Sequence, residues 1–200
     1  MITRVLVGLT GTRYEEAVAK AAVEIAVKNE ARLTGVTALD LQRLRNVGPV
    51  PPGGGQAAKE LREHRIRVSH EAIEQSVAHF EQLCNEAGVE HQILHEEREE
   101  PFDFLISQSR YHDLTVLSLK GIFEYEISAG NQTDASLTIV RLISGGVRPI
   151  LAVPSEMHEV KKVFVAYSGS ISASAARDGA RRALWNPMIS PVLASMSGVT

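Results

Sequence analysis

Residues 4–17 read Arg4-Val5-Leu6-Val7-Gly8-Leu9-Thr10-Gly11-Thr12-Arg13-Tyr14-Glu15-Glu16-Ala17, and this stretch decides the fold. The run through Leu9 is apolar and rich in β-branched residues, without polar alternation. That is the pattern of a strand covered on both faces, as in parallel sheets. Thr10-Gly11-Thr12 breaks the strand. Residues 14–29 then carry Ala17, Ala21 and Ile25 at helical spacing, with Glu15 and Glu16 in the first turn where they complement the helix dipole. Leu33 to Leu39 reads as a second strand ended by Asp40. One βαβ unit, with the expected right-handed crossover, is therefore complete within the first 40 residues.

The alternation continues. A loop is expected over 41–56, where Gly48-Pro49-Val50-Pro51-Pro52-Gly53-Gly54-Gly55 admits no regular element. Residues 57–87 read as a long helix, with Ile66, Ile73, Val77, Phe80 and Cys84 on one stripe and Gly88 as its C-cap. Val89–Leu94 is a third strand, followed by an acidic turn at Glu96–Glu100. Pro101 opens a short helix through Ser109, at a position where its missing N–H costs little. Asp113–Ser118 is a fourth strand. A polar, glycine-containing segment at 120–132 leads to a helix at 133–144 with Leu137, Val140 and Ile143 as its inner face, and Pro149–Val153 is a fifth strand. Five strands alternating with four helices predict a Rossmann-like, doubly wound α/β domain with a five-stranded parallel sheet over residues 1–155.

Composition narrows the function classes. The chain has 200 residues, is 44% hydrophobic and carries 21 Lys+Arg against 24 Asp+Glu. A net charge of −3 gives no electrostatic reason to expect nucleic acid or an anionic membrane. Residues 56–100 hold a local excess of six acidic groups, read as a solvated helix face. The lone Cys84 forms no internal disulfide, and with no apolar run near the ~20 residues that cross a bilayer, a cytoplasmic location is expected. The N-terminus does not read as a signal peptide.

A shift of 158 positions superposes the chain on itself. Arg4–Thr12 falls on Lys162–Ser170, with Val5 on Val163, Val7 on Val165, Gly11 on Gly169 and Ala17 on Ala175. The same shift lays Pro191–Gly198 on the second strand. Residues 159–200 are thus expected to form a partial second β-α-β repeat, packed on the first domain or on another copy of the chain. A lone βαβ unit of this size leaves its faces and edges uncovered.

The opening strand and turn, Asp113-Leu114-Thr115-Val116-Leu117-Ser118 before Gly121, and Arg148-Pro149-Ile150-Leu151-Ala152-Val153 together resemble the universal stress protein family. The resemblance spans about residues 3–154, with a partial second copy at 160–200, and tandem members are common in that family. It implies a five-stranded parallel sheet, a cytoplasmic role in stress survival, and a homodimer. Some members bind ATP, through an acidic residue in the first turn and a glycine-rich segment after the fourth strand. The residues here that match such a site are Thr10, Gly11, Thr12, Gly121, Gly130 and Ser136. The pattern is degraded: the acidic residue is replaced by Thr10, and Glu124 stands at the second glycine, adding bulk and negative charge where phosphates approach. The expectation is a non-enzymatic protein with no cofactor, acting through self-association and protein partners, with ATP binding as the alternative.

No other constellation carries chemistry. His91 and His95 share a strand face but lack further ligands, so they read as solvent-facing strand residues rather than a metal pair. His112 and Asp113 are adjacent in a strand and project to opposite faces. Cys84 lies on the apolar stripe and reads as a buried, inert thiol. G-x-S-x-G and Walker-type phosphate loops are absent, and Trp185 reads as a packing anchor.

Overall fold

A computed structural model describes residues 2–12, 14–98, 101–118, 140, 142–145, 149–154, 162–167 and 190–195. Its elements are β1 (Arg4–Leu9), α1 (Glu15–Asn29), β2 (Arg32–Asp40), α2 (Leu41–Arg45), α3 (Gly55–Glu86), β3 (His91–Arg98), α4 (Pro101–Ser109), β4 (Leu114–Ser118), β5 (Ile150–Val153), β6 (Lys162–Tyr167) and β7 (Ser190–Ser195). The first five strands form one parallel sheet in the order β3-β2-β1-β4-β5. Chain order reverses between β1 and β4, the hallmark of a doubly wound fold.

β1 is central because its sequence can be nothing else: all residues from Val5 to Leu9 are buried. Alternate side chains serve two cores. Val5, Val7, Leu9 and Leu33 join α1 with Phe80 and Cys84 of α3 in one cluster. Leu6, Val36 and Leu117 join Leu105 of α4, Leu44, Ile73 and Leu142 in the other. Glycine is required where the first layer approaches closest. A Cβ on Gly35 would stand 2.8 Å from both Ile93 Cδ1 and Leu9 Cδ1, and 3.3 Å from the Phe80 ring.

Several expectations need correction. α2 occupies Leu41–Arg45 inside the expected loop, because Leu44 has a core position to fill before the proline- and glycine-rich run begins. β3 continues through Glu96, Glu97 and Arg98, paired with Ala38, Leu39 and Asp40, where an acidic turn is expected from sequence. As the outermost strand of the sheet it tolerates a charged segment. Of the helix expected at 133–144, residues 133–139 and 141 lie outside the described residues. In the remainder Leu142 is the buried residue, while Val140 and Ile143 are 57% and 60% exposed, so they are not its inner face.

The stop of α3 does follow its sequence. Gly88 adopts a φ of +65°, Val89 N–H donates to the Cys84 carbonyl and Gly88 N–H to that of Asn85, which is the Schellman pattern.

β6 and β7 form a separate two-stranded parallel pair, with Lys162 opposite Ser190 and Tyr167 opposite Ser195. β1 and β2 pair Arg4 with Arg32 and Leu9 with Thr37, so the two registers are related by the same shift of 158. The connecting segment, including Trp185, lies outside the described residues.

Candidate functional site

The carboxyl end of β1 faces the point where strand order reverses, the position at which open α/β sheets hold ligands. The turn there is Thr10-Gly11-Thr12. Both threonines are buried, and their hydroxyls lie 3.2 Å apart in a mutual hydrogen bond. Gly11 sits at φ +67°, and a Cβ on it would stand 3.0 Å from the Ile73 backbone nitrogen and 3.1 Å from the Ala72 carbonyl carbon. Helix α3 therefore lies directly against the turn, and only glycine satisfies both the conformation and the space.

The turn is already occupied by a carboxylate from within the chain. Glu15, at the start of α1, is 6% exposed. Its Oε2 accepts a hydrogen bond from the Gly11 N–H at 2.7 Å and from the Ser76 hydroxyl of α3 at 2.5 Å. Its Oε1 is buried and has no partner. Burial pushes this carboxyl's pKa up, against the opposing pull of the Ser76 hydroxyl and the backbone N–H groups of Gly11, Thr10 and Thr12. Turn amides at a helix start are a ready-made anion site, and here a side chain four residues downstream fills it.

Sequence reasoning missed this residue. It looks for an acidic group at position 10 and treats Glu15 and Glu16 alike as dipole partners. In the structure they diverge: Glu16 pairs with Lys20 at the surface at 2.5 Å, while Glu15 folds back into the turn. A glycine-containing turn followed at i+4 by a glutamate, at the first position of a helix, is the signal that could have found it; it resembles the reach-back of a capping box.

Of the six positions expected to form a nucleotide site, Thr10, Gly11 and Thr12 are brought together in this turn. Gly121, Gly130 and Ser136 lie outside the described residues, as does Glu124. The two threonine hydroxyls hydrogen-bond to each other.

The remaining candidates resolve into structural roles. His91 is not solvent-facing: its ring packs edge-on to Phe80 with centroids 6.1 Å apart, and its Nδ1 pairs with the Val89 carbonyl. His95 is exposed and shares a 2.6 Å hydrogen bond with Thr37. His112 and Asp113 serve different ends. The imidazole Nδ1 donates to the Gln108 carbonyl at 2.7 Å, while the Asp113 carboxylate accepts from the Thr3 N–H and hydroxyl and the Arg4 N–H. Cys84 is buried, and burial with the nearby Glu81 charge pushes its thiol to a pKa of about 11, which leaves little thiolate for redox chemistry. No group of three His, Cys, Asp or Glu able to hold a metal ion occurs among the described residues. No helix of the described residues is long and apolar enough to cross a membrane.

A parallel five-stranded sheet in the order 3-2-1-4-5 with this turn at its centre defines the class: a Rossmann-like α/β protein of the universal stress protein fold. The chain is similar to universal stress protein UspA from Lactobacillus plantarum, at 15% identity and a TM-score of 0.51, covering 76% of this chain and 97% of that one. It is likewise similar to the protein MJ0577, at 10% identity and a TM-score of 0.55, covering 79% of this chain and 99% of that one. A universal stress protein family member from Burkholderia pseudomallei is 22% identical over 76% of this chain and 96% of its own, with a TM-score of 0.44. No protein-family model matches the sequence, and no curated protein does.

Proposed function

We propose that this is a non-enzymatic protein of the universal stress protein fold that works through self-association and protein partners and binds ATP poorly. The observation that carries this reading is the Glu15 carboxylate on the Gly11 N–H. Any anionic group brought to this turn meets an amide already committed to an internal carboxylate, in a buried setting where a second negative charge is costly. The turn also lacks a residue set for catalysis.

Self-association finds support at the far edge of the sheet. β5 is an outermost strand, so one side of its backbone is unpaired within the described sheet. Val140 and Ile143, on the segment leading into it, expose more than half of their surface. Edge strands left open in this way are templates for pairing with another chain. Analytical ultracentrifugation tests this part: a dimer is expected, and a monomer at high micromolar concentration contradicts it.

One observation favours a second reading, a nucleotide-binding switch. Glu15 Oε1 is buried without a donor, and a ribose hydroxyl would supply one. Calorimetric titration with ATP and Mg²⁺ separates the two. Binding in the micromolar range establishes the switch and sinks the first reading.

A further inference from the structure

The amino ends of the strands, remote from the Glu15 turn, hold a cavity of about 240 Å³ between the starts of β1, β2 and β3 and the C-terminal end of α4. Its size is below the ~300–1,000 Å³ of pockets for drug-sized ligands, so it suits a small metabolite and not a nucleotide. Its lining is polar because of register. β1 pairs Arg4 with Arg32, and β2 pairs Thr34 with Gln92, so these side chains project to one face, the face that α4 covers. Residues on that face further along the strands, such as Leu6 and Val36, belong to the core. The polar set begins where the sheet emerges from under the helix.

The charge in this cavity is unbalanced. The Arg4 guanidinium hydrogen-bonds to no described residue. The Asp113 carboxylate, which the Arg4 charge attracts, has its Oδ2 engaged by the Thr3 N–H, the Thr3 hydroxyl and the Arg4 backbone N–H. Arg32 pairs with Glu90 through Nε alone, at 2.8 Å, which leaves the terminal guanidinium nitrogens available. Among the residues that line the cavity, two guanidinium groups, Arg4 and Arg32, face one carboxylate, Glu90. The wall under α4 is rigid: His112 is 6% exposed, and its Nδ1–H bond to the Gln108 carbonyl fixes both the ring and its tautomer. A carbonyl only accepts, so the proton must be on Nδ1.

We propose that this cavity binds a small anionic metabolite, through a carboxylate or phosphate oxyanion held by Arg4 and the free guanidinium edge of Arg32. Arginine is suited to this because its planar fork matches either oxyanion. The site is independent of the Glu15 turn, and its occupancy says nothing about ATP.

The test is thermal denaturation of the full chain with inorganic phosphate in one arm and succinate in the other, each against sodium chloride at equal ionic strength. A saturable rise in melting temperature is expected with at least one anion, and the arm that responds identifies the oxyanion. In Arg4→Gln the half-saturating concentration should rise at least fivefold, while Lys59→Gln, a surface charge on α3, should leave it unchanged. Arg4 is exposed, so the variant should melt normally without ligand. If it does not fold, Arg32→Gln is read in its place with the same expected weakening. No saturable shift with either anion, or an arginine variant that responds as the wild type does, overturns the proposal.

Discussion

Replacing Glu15 probes the turn from two directions. Glu15→Ala removes two hydrogen bonds to a buried carboxyl, from Gly11 and Ser76. Bonds of that kind are worth ~1.5–3 kcal/mol each, so the gross loss is about 3–6 kcal/mol. Against it stands the recovered cost of burying the carboxylate, several kcal/mol per ion. The net destabilisation expected is about 1–3 kcal/mol. Glu15→Gln keeps an acceptor oxygen for Gly11 and Ser76 but places an amide N–H₂ where Oε1 has no partner. That penalty of ~1–3 kcal/mol is offset by removing the charge, so this variant should lie within about 1 kcal/mol of wild type at pH 7. The pH dependence has a definite sign. Burial raises the folded pKa of Glu15 above the ordinary glutamate value. The folded state therefore holds the proton more tightly, and Glu15 contributes most to stability below the unfolded pKa. That contribution is lost as pH rises through the folded pKa. Urea unfolding at pH 7 and pH 5 is the assay. Wild type should gain on Glu15→Gln as pH is lowered. An alanine variant as stable as wild type, or a wild-type-to-glutamine difference that does not change with pH, refutes the reasoning.

Three further perturbations follow from the same structure. Gly11→Ala forces a side chain into a left-handed conformation against the α3 backbone, and should cost about 2–4 kcal/mol by chemical denaturation, against ~1 kcal/mol for conformation alone. Asp113→Ala releases Thr3 and the start of β1 and should cost about 1–2 kcal/mol at pH 7. Burial raises this carboxyl's pKa, but the bonds from Thr3 and Arg4 and the Arg4 charge outweigh it and hold the pKa below 3.8. The stabilisation is thus present above about pH 4 and lost as pH falls through the folded pKa, so variant and wild type should converge in acid. Proteolytic removal of residues 159–200 should lower stability or change the oligomeric state, because a two-stranded sheet is marginal alone; an unchanged melting temperature and sedimentation coefficient would show that β6 and β7 pack on nothing.

The sheet was legible in the sequence because buried parallel strands advertise themselves: Val5–Leu9, Leu33–Leu39 and Leu114–Ser118 are continuous apolar or β-branched runs, with little else they could be. α4 was readable from Pro101 and the end of α3 from Gly88, where backbone chemistry is local. Failures came where tertiary context decided. Leu44 supports a short helix only because a core position lies below it. Glu96–Arg98 extend β3 because β2 offers a paired ladder. The helix face at Val140 and Ile143 was misassigned because three apolar residues at helical spacing do not say which face meets the sheet; Leu142 does. Thr10-Gly11-Thr12 was legible as the turn that ends β1. Glu15 was not, because whether a first-turn glutamate faces solvent or folds back depends on Ser76, 61 residues away.

The central claim is that an internal carboxylate already occupies the amide-lined turn after β1 and leaves no free anion site there for a nucleotide. Isothermal titration of wild type and Glu15→Ala with ATP and Mg²⁺, side by side, tests it most directly. The account predicts no saturable binding to wild type below millimolar nucleotide. Micromolar binding to the wild type, with Glu15 in place, would contradict it.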